Sequence, residues 1–253
     1  METSNSIRQH ASSSANPSSQ VNTGRTIERA FYTGITVVLC AMVVIGFWPS
    51  YFSLVFGEPV VRPLIMHAHG AIFTGWMGLL ALQVTLVAKS KVDAHRRVGK
   101  FGIAYGAVVL VLGTAVSFVA PALHVQSGNW PLDQAAGFMI LPLGDMILFA
   151  GFFGAAVAKR SQSETHKRLM LAATVALVFA AVARMELAPP LLFFFVWISP
   201  LLLGMAFDLY RRKQIHKVYL ISFAVFAVFF LRTLLMESEA WLSVARPMLR
   251  PFL

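Results

Sequence analysis

The sequence predicts an all-α fold, a polytopic transmembrane bundle of about seven helices with a cytoplasmic N-terminus and an external C-terminus. Three observations carry that expectation. Hydrophobic residues make up 57% of the 253 and charged residues only 13%, about half the usual charged share of roughly 25% and too few to clothe a water-facing body of this size. Apolar runs recur near the roughly 20 residues that cross ~30 Å of hydrocarbon. Lys and Arg gather in every second connection, as membrane orientation requires.

Residues 1–26 are rich in Ser, Asn and Gln and have no apolar face. They are expected to form a disordered cytoplasmic tail, with residues 27–253 forming the transmembrane domain. No cleavable leader is discernible, so the first span is expected to direct insertion. Seven runs follow, over about 30–49, 64–88, 101–120, 137–158, 168–187, 191–209 and 217–236. Helices satisfy backbone groups in lipid within each segment, and the alternating ten-residue segments of a membrane barrel are absent. Runs five and six are divided by Ala188-Pro189-Pro190, because two prolines break a helix interior.

The tail and the even-numbered connections hold sixteen of the 21 Lys and Arg, and the other connections hold Arg62, Arg184, Arg246 and Arg250. Trp48, Tyr51, Trp130 and Trp241 fall near the outer ends, where an aromatic belt belongs. The net charge of +10 therefore reads as topology, and no nucleic-acid partner is expected, since the cations form no aromatic-laced face. The partners expected are the lipid bilayer and its anionic headgroups, with a homo-oligomer left open. The single Cys40 excludes a disulfide framework.

Run two holds His67, His69, Trp76 and Gln83. His69, Trp76 and Gln83 recur every seven residues and so lie along one line of the helix, while the His67 ring points elsewhere. Gly70, Thr74 and Gly78 mark a second face that a neighbour can approach closely. Asp145 lies inside run four after Pro142, Arg184 and Glu186 close run five, and Arg232 stands near the end of run seven. A buried Asp145 requires a partner, either Arg184, Arg232 or a proton. One reading is an ion pair that fixes packing. The other is an outward-facing pocket lined by His67, His69, Trp76, Gln83, Asp145, Arg184 and Arg232, for ligand binding or for small-solute or proton transport.

On the cytoplasmic side, His95-Arg96-Arg97, His166-Lys167-Arg168 and His216-Lys217 each open an odd-numbered helix. They are expected to meet anionic headgroups or to hold an anion at helix N-termini. Small-residue stripes at Gly99, Gly102, Gly106 and Gly113, at Gly137, Gly144 and Gly151, and at Ala172, Ala176 and Ala180 read as packing faces. An alternative is a redox protein with haem b or a metal. Haem needs two imidazoles on facing helices at one depth, and the metal reading has only His67, His69 and His124 to draw on. No GxSxG, HExxH, GxGxxG or GxxxxGK[ST] occurs, and the sequence assigns no reaction.

The run His67-x-His69-Gly70, Trp76, Gln83, Leu86-Val87-Ala88 and His95-Arg96-Arg97-x-Gly99, followed by His166-Lys167-Arg168-Leu169-Met170 and Arg184, resembles a known pattern. It is similar to a group of uncharacterised bacterial polytopic integral membrane proteins, related to a domain-of-unknown-function family with HR-x-x-G and HR-x-M-x-R-like segments. The match spans about residues 64–186. Lys167 stands where that family has Arg, and Ala172 or Ala173 where it often has another Arg. The resemblance implies a bacterial plasma (inner) membrane location, singles out His69, His95, His166 and Arg184, and implies no reaction.

Overall fold

The computed structural model describes residues 17–53 and 63–253. Among them all regular structure is helical, and seven helices are long and apolar enough to cross a membrane. The chain is a multi-pass membrane protein. We number the helices α1 (Pro17–Phe47, extended by a π-turn, Trp48–Phe52), α2 (Leu64–Ala88), α3 (Val92–Gln126), α4 (Leu132–Ala158), α5 (Ser163–Ala183), α6 (Pro190–Arg212), α7 (Lys217–Phe230, extended by a 3₁₀ turn, Leu231–Leu235) and α8 (Glu239–Leu249).

The largest departures from the expected boundaries are at two helix starts. α1 reaches back to Pro17, so residues 17–26 are helical where a disordered tail was expected; residues 1–16 of that tail lie outside the described residues. α3 begins at Val92 rather than near 101, because its first turns are charged and amphipathic and carry no apolar-run signal. α8 follows the seventh span and was not anticipated. Ser238 caps it by accepting from the Trp241 N–H at 3.3 Å, and Leu242, Ala245 and Leu249 bury one face against Ala122, Ala135, Ala136 and Met139.

α5 is the central rod. In its most apolar stretch 67% of residues are buried, against 39% or less in the other six spans. Its run Leu171 to Ala176 is fully enclosed, since small side chains let neighbouring helices approach on all sides. α4 packs along one flank, α6 along another, and the end of α1 crosses it near Gly46, where Ala181 leaves no room for a Cβ. α2 pairs with α3, and α3 closes onto α4. Gly106 lies under Phe153, and Gly113 under Met146 and Phe73, as the α3 stripe predicts. Gly78 and Gly151 have open space before them, so those two are not packing positions.

Two spans are interrupted for identifiable reasons. In α4 the regular helix pauses at Met139, where Pro142 supplies no N–H for the carbonyl of Phe138. In α5 it pauses at Val178. There the Val175 carbonyl accepts from Trp197 Nε1 at 2.8 Å and from the Val178 N–H at 3.3 Å, a side-chain intrusion that tightens the turn. Both breaks lie in the half of the bundle away from the basic connections, and they shape the site.

Candidate functional site

A cavity of about 250 Å³ lies between α1, α2, α3, α4 and α5 near the end opposite the basic clusters. Its wall includes His69, Trp76, Ser117, Asp145 and Arg184, brought from four different helices. His69 stands in the second turn of α2, its ring 4.1 Å from that of Phe73, with Nδ1 buried and without a hydrogen-bond partner. Trp76, two turns deeper and 2% exposed, meets Phe149 and Phe153 edge-on and donates from Nε1 to Thr174 Oγ1 at 3.4 Å. Arg184 follows α5 directly. Its Nη1 donates to the Ala180 carbonyl at 2.7 Å and its guanidinium lies 4.4 Å from the Phe47 ring centre.

Asp145 is 5% exposed and forms an ion pair with Arg232, itself 6% exposed. Of the two cations the sequence offered as partners, α7 supplies the one that binds. Arg232 comes from the 3₁₀ turn that ends that span. Its guanidinium lies over the rings of Phe179 (4.7 Å) and Trp197 (5.8 Å), and Nη1 donates to the Phe229 carbonyl at 3.3 Å. Gly144 lets it pass, since a Cβ there would stand 2.8 Å from Arg232 Cδ. A pair buried to this extent offsets its desolvation only with good geometry and added bonds, and the two aromatic faces contribute to that.

Three of the expected pocket residues are elsewhere. His67 faces Tyr51, with Nδ1 3.4 Å from its hydroxyl, because two residues along a helix rotate the ring away from His69. Gln83 lies seven residues beyond Trp76, about 10 Å further along the axis at 1.5 Å per residue. It meets His95 instead, with its amide nitrogen 2.7 Å from His95 Nδ1 and its oxygen accepting from the Gly99 N–H at 2.9 Å. Arg232 reaches Asp145 from outside the cavity wall.

The basic end is organised differently from the expected headgroup contacts. Arg168 was expected to meet headgroups, yet it is 1% exposed and held by Asp208 through two bonds and by Glu164 at 2.9 Å. Lys167 bonds to Glu28 and to Glu164 (2.6 Å), and Arg212 to Glu164. Tyr32 and Tyr219, 3.4 Å apart at their hydroxyls, cover the cluster, and the Arg168 guanidinium lies over the Tyr219 ring. Acidic residues from α1, α5 and α6 thus neutralise these cations internally. His216 caps α7, its Nδ1 accepting from the Val218 N–H at 3.2 Å, while its own N–H donates to Asp208 at 3.1 Å. Burial, and then Arg168, pull its imidazole pKa below the ordinary value. His166 donates from Nδ1 to the Ala156 carbonyl at 2.8 Å. Arg96 and Arg97 remain exposed, Arg96 4.0 Å from Asp93.

Glu28, Tyr32, Glu164, Asp208, Arg212 and Tyr219 were not singled out from the sequence. The available signal was an acid within the apolar run of α6, Asp208, which in a membrane demands a partner.

The cavity does not assemble a metal cluster or a bis-histidine pair among its described residues. Among the described residues no three His, Cys, Asp or Glu side chains come together as ligands, and His124 is stacked on Trp130. The cavity presents one imidazole, His69, and no facing histidine, whereas bis-histidine haem ligation needs two. Comparison of the chain with known protein families, with curated proteins and with solved structures finds no match.

Proposed function

We propose that this chain is a multi-pass protein of the bacterial plasma membrane that binds a small polar solute in the cavity between α1 and α5, and moves it or a proton across the bilayer. The N-terminus is cytoplasmic in this reading, and the cavity opens outward. One observation carries it: His69, whose buried Nδ1 has no hydrogen-bond partner, lines a cavity also lined by Asp145 and Arg184. Buried polar atoms are normally satisfied, and intramembrane ionisable groups facing a shared cavity mark ligand or ion pathways. The ion network at the opposite end supports a closed cytoplasmic side, since Arg168, Asp208 and Glu164 tie α5 to α6. Of the residues expected to meet anionic headgroups, Arg96 and Arg97 stay exposed at that end. The bacterial membrane location rests on the likeness over residues 64–186, from His67-x-His69-Gly70 through His95-Arg96-Arg97 to His166-Lys167-Arg168 and Arg184.

The test is reconstitution in liposomes with a panel of amino acids, monocarboxylates and amines, following solute uptake and internal pH. We expect at least one solute to give saturable flux or binding that His69→Ala and Asp145→Asn each reduce tenfold or more. A panel-wide lack of saturable binding, or binding indifferent to both substitutions, overturns the reading. A reporter fused after Leu253 that proves cytosolic overturns the orientation.

A further inference from the structure

The outer end of α1 does not finish as an α-helix. Pro49 has no N–H for the Ile45 carbonyl, and over Trp48–Phe52 the helix widens into a π-turn, which holds one residue more than an α-turn. The Ser53 N–H bonds five residues back, to the Trp48 carbonyl. The Pro49 carbonyl, its partner in an α-helix, accepts instead from Ser53 Oγ at 3.3 Å. Ser53 thus serves two registers. Passing from π to α moves its N–H from one carbonyl to the next, and the Pro49 carbonyl is satisfied in both.

This turn is also a wall of the solute cavity. Ser50, Tyr51 and Phe52 line it, as do Met66 and Gly70 of α2. The Tyr51 ring lies against Gly70, where a Cβ would stand 3.4 Å from its Cζ and its hydroxyl. That hydroxyl is 3.4 Å from His67 Nδ1, a contact longer than a strong hydrogen bond. Below the turn α1 is fixed, because Gly46 meets the backbone of Ala181. Tyr51 therefore stands on an irregular segment just beyond a tight helix crossing. Removing the extra residue of the π-turn rotates the side chains that follow by up to one helical position, about 100°. A rotation of that size carries the Tyr51 ring off Gly70 and breaks its contact with His67.

We infer that Tyr51 is the gate of the solute cavity, a role that rests on the solute-binding reading of that cavity. In the π register its ring closes the path between the outer ends of α1 and α2. Rewinding of Trp48–Phe52 into the α register swings it clear.

The test reads access to the cavity and uses no solute, so a protein that binds nothing in the transport panel can still show the gate. Ser117→Cys places a thiol on the cavity wall, in a Cys40→Ala background that removes the native one. The full chain in nanodiscs is treated with a membrane-impermeant trimethylammonium methanethiosulfonate, and the modification rate is followed by mass. We expect Tyr51→Ala, which removes the ring, and Pro49→Ala, which restores the missing N–H and favours the α register, each to raise that rate at least fivefold. Should Tyr51→Ala fail to fold, Tyr51→Phe decides: it keeps the ring, loses the contact with His67, and should react at least twofold faster. A folded variant that falls short of its stated increase overturns the inference. So does a thiol that stays unreactive in every variant while denatured protein reacts.

Discussion

Gly46 and Gly34 lie on the same helix, α1, and replacing each with alanine should move stability in opposite directions. A Cβ on Gly46 would stand 2.6 Å from the carbonyl carbon of Ala181 and 2.8 Å from its Cα, and would meet the carbonyl oxygen more closely still. Ordinary carbon contacts are about 3.5–4.0 Å, so α1 and α5 must part by about 1 Å. The obstacle is backbone and cannot rotate away. Overpacking of this kind costs about 1–3 kcal/mol. At Gly34 a Cβ meets nothing within 4 Å, and alanine gains up to about 1 kcal/mol of helix propensity. The two variants should therefore differ by about 2–4 kcal/mol. Reversible unfolding in mixed micelles, with denaturing detergent as the variable, measures both against the parent protein. Because Phe47 and Ala180 line the cavity, Gly46→Ala should also weaken solute binding there. A Gly46→Ala protein within 0.5 kcal/mol of the parent, or no more perturbed than Gly34→Ala, would refute the close crossing of α1 on α5.

Other perturbations test other parts of the bundle. Asp145→Leu and Arg232→Met should each destabilise by about 3–5 kcal/mol, because one buried charge loses its partner, whereas the double variant should lie near the parent; additive single effects in the same unfolding assay would contradict the pair. Acidification should destabilise α7 through His216: its pKa is lowered in the fold by burial, so the stabilisation is complete above the ordinary imidazole range near 6.5 and is lost as pH falls below it. Protonated Nδ1 no longer accepts from Val218, and a lost cap is worth about 1 kcal/mol; His216→Asn keeps an acceptor, so a melting-temperature difference between pH 7.5 and 5.5 should shrink in that variant. Arg168→Leu leaves Asp208 buried at 1% exposure and should cost about 3–5 kcal/mol, with partial rescue by Asp208→Leu; a single-variant effect below 1 kcal/mol would mean the cluster is solvated.

The spans were legible because hydropathy is a property of each segment by itself. His69, Trp76, Asp145 and Arg184 were legible as a group, since polar residues within apolar runs must face protein or a cavity rather than lipid. The choice of Arg232 over Arg184 for Asp145 was not, because it depends on how α7 sits against α4 and on Gly144 leaving a passage. Seven-residue spacing linked Gln83 to His69 correctly as a line on α2, but a line says nothing about depth, and Gln83 belongs to the other end with His95. The ion network escaped for a related reason. Glu28, Glu164 and Asp208 are isolated acids separated by up to 180 residues, and their meeting is set by tertiary packing alone. α8 carries a short amphipathic pattern rather than a long apolar run, so a search for spans passes over it.

The interruption at Val178 divides α5 into a long stem and a short turn. Below it, Arg168 and the enclosed alanines are clamped by α1, α6 and the acidic residues around them. Above it, one short turn carries Phe179, which faces the Arg232 guanidinium, and ends at Arg184 on the cavity rim. One helix thus serves two places: its stem holds the ion network at one end, and the short turn sets Phe179 against Arg232 and Arg184 on the cavity wall at the other.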